Sequence, residues 1–257
     1  MTAIKKIYCD TKFKRADSIS NSNFKFELPY TIKHDDNQVF YIDDISIPHV
    51  MYTVEAGVND KLYIRFTLSG LDYDDTITLP SKNYNGVQLA AEMVTQITAM
   101  TLPYVAACTY DSQTQRISLT EATHDARILT DYELVNGITP AWSGPTYGSD
   151  SANELLLNTS KTSTTGTPSV AVEFHLLLQP IRNIYIRSPN LSSFTTIGIN
   201  GEASIIKKVP VSANSGSMIF NTVTSGMDYL DCSNQTWKTL EIHLLSEDNK
   251  YVNLHGA

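Results

Sequence analysis

Cysteine is scarce in this sequence, and what little there is lies scattered. Cys9, Cys108 and Cys232 are far apart and form no CxxC pair. An odd, dispersed set argues against a disulfide framework and against a structural zinc site. No apolar run approaches the roughly 20 residues that a membrane-spanning helix needs, and the N-terminus has no signal-peptide hydrophobic stretch. The expected setting is therefore a reducing compartment without secretion. The sequons at Asn158, Asn190 and Asn234 are read as chance matches. Signatures of enzyme chemistry are missing too. The sequence holds no nucleophile elbow, HExxH, P-loop or GxGxxG.

Charge is modest. Only 18% of residues are charged while 42% are hydrophobic, which suits a chain with a substantial core rather than a disordered one. At 257 residues, one large β domain or two modest domains are both possible. The net charge of −8 is the wrong sign for a general nucleic-acid binder. It is also unevenly spread. Residues 1–15 hold Lys5, Lys6, Lys12, Lys14 and Arg15 against Asp10, a net +4 that leaves about −12 for the remainder. This basic start is either a solvated terminus or an arm that touches phosphate or an acidic neighbour.

What is abundant is tyrosine, 14 residues of it, together with Ser, Thr and Asn, a composition of strands joined by polar turns. Strands are expected at KIYCDTKF, FKFELPY, VFYIDDISIP, KLYIRFTL and DTITLP. In KLYIRFTL, Leu62, Ile64 and Phe66 share one face and Lys61, Tyr63 and Arg65 the other. One helix is predicted, about 85–100. Leu89, Met93, Ile97 and Met100 form its apolar stripe, Asn85 and Gln88 its capping box, and Pro103 limits its continuation. VAACTYDSQTQRISLT reads as a hairpin turning near Asp111, Ser112 and Gln113. Residues 137–169, rich in Gly, Pro, Ser and Thr around Leu155, Leu156 and Leu157, read as a surface excursion or linker. Strands then return at VAVEFHLLL, NIYIRS, ASIIKKVPV, GSMIFNTV and the closing LEIHLLSEDNKYVNLHG, read as strand, turn and strand.

Few constellations could carry chemistry. Glu241 and His243 fall on one face of the closing strand. They could be a base and its orienter or two metal ligands, but no third partner has a convincing spacing, so they are read as the wet or interface side of a sheet. Asp72 to Asp75 is the densest acidic cluster. It lacks the glycine and glutamate of an EF-hand loop and is read as a turn between strands, as are Asp35-Asp36 and Asp43-Asp44. His49 is read as a surface or satisfied residue, and Gly198 to Gly201 as a plain turn. No catalytic, cofactor or metal residue is assigned.

One resemblance runs along most of the chain. IYCDTKFKRADSISNSNFKFELPYTI followed by VFYIDDISIPHVMYTVEAGVNDKLYI is similar to the start of the penton (minor capsid) proteins of the Polinton/Maverick, adintovirus and virophage lineage. In that family a DS-R segment, a strand ending in Leu-Pro and an I-x-I-P…YTV…N segment recur in this order. Here Asp10, Leu28-Pro29, and Ile45 to Pro48 with Tyr52 to Val54 and Asn59 stand at those places, with Cys9 and Thr11 departing from the first. ITLPSKNYNGVQLAAEM resembles the family's strand-and-helix unit, and NIYIRSPNL, IIKKVPV and LEIHLLSEDNKYVNLHG its C-terminal half. A further strand often follows the last segment in such proteins, whereas this sequence ends at Ala257.

The resemblance implies a mainly β protein. Its single jelly-roll β-sandwich would be formed by 1–57 and 165–257. A small ββαββ-type domain, 58–164, would be inserted, with the helix and a Ser/Thr/Gly/Pro-rich return. It also implies a structural virion protein that is no enzyme and has no cofactor. Such a protein would be made in the host cytoplasm or nucleus and form homopentamers at capsid vertices. It would sit beside a double-jelly-roll major capsid protein. The +4 charge of residues 1–15 against the acidic remainder is expected to place that arm toward the capsid interior or genome, or along a neighbouring capsomer. The competing reading is a carbohydrate- or receptor-binding β module of a viral spike or fibre. An enzyme on a β-sandwich is a third.

Overall fold

β-branched and aromatic residues alternating with polar ones give this chain its strands. In the computed structural model, residues 5–100, 106–168, 170–191, 196–198, 201, 204–222 and 229–257 are described. In chain order the elements are β1 (Asn23–Lys33), β2 (Val39–Phe40), β3 (Asp44–Pro48), β4 (Lys61–Leu68), β5 (Leu71–Thr78), α1 (Gly86–Thr98), β6 (Ala106–Asp111), β7 (Arg116–Glu121), β8 (Asp125–Ile128) and α2 (Asp131–Asn136). They continue with β9 (Val172–His175), β10 (Asn183–Arg187), β11 (Ile205–Pro210), β12 (Met218–Thr222), β13 (Leu230–Asp231) and β14 (Thr236–Leu245). The protein is mainly β, and among the described residues the named strands pair antiparallel. It divides into two units, Met1–Met51 with Ile181–Ala257, and Tyr52–Pro180.

The first unit is a jelly-roll-like β-sandwich. One sheet runs in the order β1-β14-β10-β11, so the first and last strands of the chain are neighbours. Opposite it lies an interrupted ribbon, β3 with β12 and β2 with β13. Phe24, Phe26, Ile184, Ile186, Val209, Trp237 and Leu240 from the sheet meet Ile47, Ile219 and Leu230 from the ribbon in one core. The expected single strand at 39–48 is thus two pieces, broken at Tyr41 to Asp43. The expected strand at 6–13 is absent. Asp10 instead accepts the Lys12 amide and caps a 3₁₀ turn at Thr11–Phe13, an alternative that aspartate side chains offer the backbone.

The second unit has two three-stranded sheets, β5-β4-β8 and β6-β7-β9. The α1 stripe, Leu89, Met93 and Ile97, is buried between them with Leu62, Ile64, Phe66, Ile117 and Leu119. The helix starts as its sequence dictates. Asn85 accepts the Gln88 amide at 2.9 Å and Gln88 Oε1 accepts the Asn85 amide at 3.1 Å. Pro103 lies outside the described residues. The hairpin β6–β7 turns through Asp111, whose carboxylate accepts Gln113 N and Thr114 Oγ1.

Three expectations change here. The return boundary falls at 180/181, not 164/165, because β9 adds to β7 in this unit: Ile117 faces Phe174 and Leu119 faces Val172. The leading boundary falls at 51/52, not 57/58. Residues 137–169 are not a linker either. Leu155 and Leu156 are core residues, and buried polar groups tie the segment to the β5-β4-β8 sheet. Tyr63 Oη donates to Asp150 Oδ1 at 2.8 Å, and Lys61 pairs with Asp150 at 2.7 Å. Asn158, a sequon residue, is buried and donates to Ile128 O and Asn153 Oδ1, both at 3.0 Å. A glycan has no room there. For the sequon at Asn190, Ser192 lies outside the described residues.

Candidate functional site

Glu241 and His243 do share a face of β14. Their register partners on β1 are Lys25 and Asn23, and His243 also faces Arg187 of β10. His243 Nε2 lies 3.0 Å from Glu241 Oε1, and Lys25 Nζ lies 3.8 Å from the other carboxylate oxygen. Both side chains are half-buried. The His243 ring packs edge-on to Tyr251 at 5.6 Å, and Tyr251 Oη accepts Asn23 Nδ2 at 3.0 Å. Beside the pair is a depression of about 350 Å³ lined by Arg187, Pro189, Ser204, His243, Leu245, Asn249 and Tyr251. The strand places the pair, and the Ser246–Lys250 turn, with Asn249 at φ 62°, brings Tyr251 back over it. This is a polar wall, with its carboxylate divided between an imidazole and an ammonium.

The other nominated residues disperse. Asp72 to Asp75 sit in the strand β5, not in a turn, and the turn is Ser69-Gly70, both at positive φ. Their carboxylates serve the protein itself. Asp72 accepts Thr67 Oγ1 at 2.6 Å, Asp74 is clamped by Arg65, and Asp75 accepts the Thr76 amide. His49 Nδ1 donates to Ala213 O at 2.7 Å, as a satisfied residue. Asp35-Asp36 lies between β1 and β2, whereas Asp43-Asp44 enters the strand β3. Ile199 and Asn200 of the expected glycine turn lie outside the described residues. Among the described residues, no three His, Cys, Asp or Glu side chains are grouped to hold a metal ion, and no helix is long and apolar enough to cross a membrane.

Two surfaces of the first unit stand out by exposure. The outer side of the ribbon carries Val39, Tyr41, Met218, Phe220 and Tyr229, with Phe220 70% exposed. Their strand neighbours Ile47, Ile219 and Leu230 point into the core, so alternation alone places these apolar groups outside. Tyr41 and Tyr229 pair edge-to-face at 4.9 Å. Asp231 is the register partner of Val39 and Asp44 that of Thr222, and Asp35, Asp36 and Asp43 flank the ribbon strands in sequence, all five exposed. The second surface is the N-terminal arm, where Tyr8 is 88% and Phe13 75% exposed.

No known protein family matches the chain. No curated protein is similar to it in sequence. Among solved structures, it is distantly similar to the mavirus penton protein, seen in a crystal of selenomethionine-labelled protein. The two are 10% identical, with a TM-score of 0.49, over 90% of this chain and 86% of that one. At that identity and score, the likeness by itself decides neither fold nor function.

Sequence reasoning missed the polar cluster of the second unit. Arg65, 2% exposed, donates from Nε and Nη2 to both oxygens of Asp74, at 2.6 and 2.7 Å. It also donates to Pro140 O at 2.8 Å and Ala141 O at 3.0 Å. Asp74 accepts Ser143 N and Oγ as well. A lone arginine in the middle of an otherwise strand-forming run was the signal. The cluster is structural: it bolts the 140–143 segment to the sheet.

Proposed function

We propose that this chain is a structural virion protein, a penton or minor capsid protein. Five copies would close around an icosahedral vertex beside a double-jelly-roll major capsid protein. One observation carries the reading. Most of the sequence pieces that resemble the penton lineage fall on β1, β2, β3, β10, β11 and β14 of the jelly-roll-like unit, whose first and last strands pair, and the rest on β4, β5 and α1 of the other unit. A closed ring of identical subunits uses a heterologous contact, one flank of each against another flank of the next. The exposed apolar groups on the ribbon give such a contact a centre, and the acids flanking them a rim. Five copies bring −40 together, so the ring is expected to be weak in isolation. The test is symmetry: imaging or mass photometry of the purified chain is expected to show pentamers. Trimers at every concentration, or a different protein occupying the vertex, would remove the penton reading.

Neither Glu241 nor His243 has a catalytic or metal role in this proposal. Replacing both by Ala is expected to leave the fold and assembly largely intact, apart from a modest interface or stability effect, about 0.5 kcal/mol for each. Stoichiometric zinc in the unaltered protein, lost from the double variant, would overturn that expectation.

A second reading, a receptor- or carbohydrate-binding β module, is favoured by the depression beside His243, where the exposed Tyr251 ring lies among polar groups. Glycan-array binding by the isolated chain, lost in Tyr251→Ala, would support it.

A further inference from the structure

The N-terminal arm and the outer side of the ribbon are opposites in charge and alike in apolar character. The arm presents Lys5, Lys6 and Lys12 with Ile7, Tyr8 and Phe13, all exposed. The ribbon presents Val39, Tyr41, Tyr229 and Phe220 flanked by Asp35, Asp36, Asp43, Asp44 and Asp231. Among the described residues, one ion pair joins the two within one chain. Lys6 Nζ bonds Asp43 Oδ2 at 2.8 Å, and both groups are more than half exposed. That contact leaves the apolar groups of both surfaces uncovered. If the chain's own arm were the natural cover of its own ribbon, Tyr8, Phe13 and Phe220 would not stand 88%, 75% and 70% exposed.

Large apolar side chains exposed beside one another mark an interaction surface. A phosphate backbone does not fit the ribbon, because its border is acidic. A polyanion on the arm alone would leave Tyr8 and Phe13 without a role. A second copy of this chain fits both surfaces at once, since each copy carries one of each and a heterologous contact uses both.

We propose that identical chains associate by laying the basic, aromatic arm of one copy, residues 5–13, on the acid-bordered aromatic outer face of the ribbon, Val39 to Asp44 with Met218 to Thr222 and Tyr229, of the next. This rests on the proposed assembly of identical chains, but not on the number five. Local pairing of opposite charges then offsets part of the repulsion between chains of −8.

The net charge makes the test discriminating. Asp35→Lys, Asp43→Lys and Asp44→Lys together change the chain from −8 to −2. If repulsion between whole chains governed association, this variant would associate more tightly. The docking contact instead requires it to associate more weakly, by about tenfold for three exposed pairs. Lys5→Glu, Lys6→Glu and Lys12→Glu should weaken association similarly, and the six changes combined, which return the charge to −8, should restore it. Sedimentation at fixed salt reads association and stoichiometry together, and circular dichroism checks that each variant is folded. The proposal is overturned if the face variant associates as tightly as the unaltered chain, if the combined variant stays dissociated, or if the unaltered chain does not self-associate at all. Pentamers indifferent to both triple variants would overturn the arm contact and keep the penton reading. Trimers that follow the predicted charge pattern would do the reverse.

Discussion

Asp74→Ala is expected to lower the stability of the 52–180 unit by about 3–5 kcal/mol, the range for removing one partner of a buried ion pair. Arg65 and Asp74 face each other directly across β4 and β5. Their charged groups are 2% and 0% exposed and joined by two hydrogen bonds, so the lost carboxylate leaves a guanidinium with no solvent to turn to. Asp72 Oδ2, 3.1 Å from Nη1, compensates only in part. The same change frees Ser143, and with it the stretch around Trp142. The chain has two tryptophans, Trp142 in this unit and Trp237 in the other, so a Trp237→Phe background makes fluorescence report on the 52–180 unit alone. Urea unfolding in that background should show the loss. Arg65→Met with Asp74→Leu should lose much less, because no lone charge remains buried. A cost below about 1 kcal/mol for the single change would mean that the pair is solvated in solution, like a surface pair.

This cluster also marks where the sequence stops being legible. KLYIRFTL shows its alternation plainly, and Leu62, Ile64 and Phe66 are the core face it predicts. The same alternation suggests that Tyr63 and Arg65 face water, yet both are buried. A period of two separates the faces of a strand without saying what covers the second one. Here the cover is the Gly/Pro/Ser/Thr-rich segment from 137 onward, whose composition reads as a loop because it lacks periodicity. Its hold on the sheet combines backbone bridges, Lys61 with Asp150 and Ala152, and Ala126 with Gly166, with side-chain hydrogen bonds, and Asp150, Asn153 and Asn158 cannot be told from solvated polar residues by pattern.

Local signals fared better. The capping box at Asn85 and Gln88 fixes the start of α1, because two side chains close on two backbone amides within four residues. The same signal was present at Thr130 and Glu133 and marks α2, which is too short for an apolar stripe to announce. VAVEFHLLL predicts a strand, and Val172–His175 forms one, but in the 52–180 unit rather than the sandwich, since a strand's sequence does not name its partner. On β14 the period of two put Glu241 and His243 on one face, as the 3.0 Å contact between them requires. The depression alongside needs Arg187 and Tyr251, and only the folded sheet brings those together.

Acid should undo the 52–180 unit first. Burial pushes the Asp74 carboxyl up, but hydrogen bonds from Arg65 and from Ser143 outweigh it and hold it below the ordinary carboxylate range. The balance is the same at Glu133, where burial is outweighed by bonds from Thr130 and Ser163 and by Arg127. At Asp150 it is outweighed by Lys61 and Tyr63. Each of these groups is a stronger acid folded than unfolded. Its contribution is therefore complete above the unfolded pKa of about 4, and is lost as pH falls through the lower folded value. In the sandwich unit the depressed carboxyls, Asp17 and Asp231, are exposed and coupled only to near neighbours. At the alkaline end, burial first and Asp150 second push the Tyr63 phenol up to about 12. Stability that is complete below the phenol's ordinary value of about 10 is then lost as pH rises toward the folded one. The Trp142 urea midpoint, read in the Trp237→Phe background, should be flat near neutrality, fall between about pH 5 and pH 2, and fall again above about pH 10, with the Trp237 midpoint, read in a Trp142→Phe background, changing less over the acid limb. Asp74→Asn should flatten the acid limb while lowering the plateau. A Trp142 midpoint that holds steady down to about pH 3, or a Trp237 signal that is lost first, would show that these carboxylates do not control the acid stability of this unit.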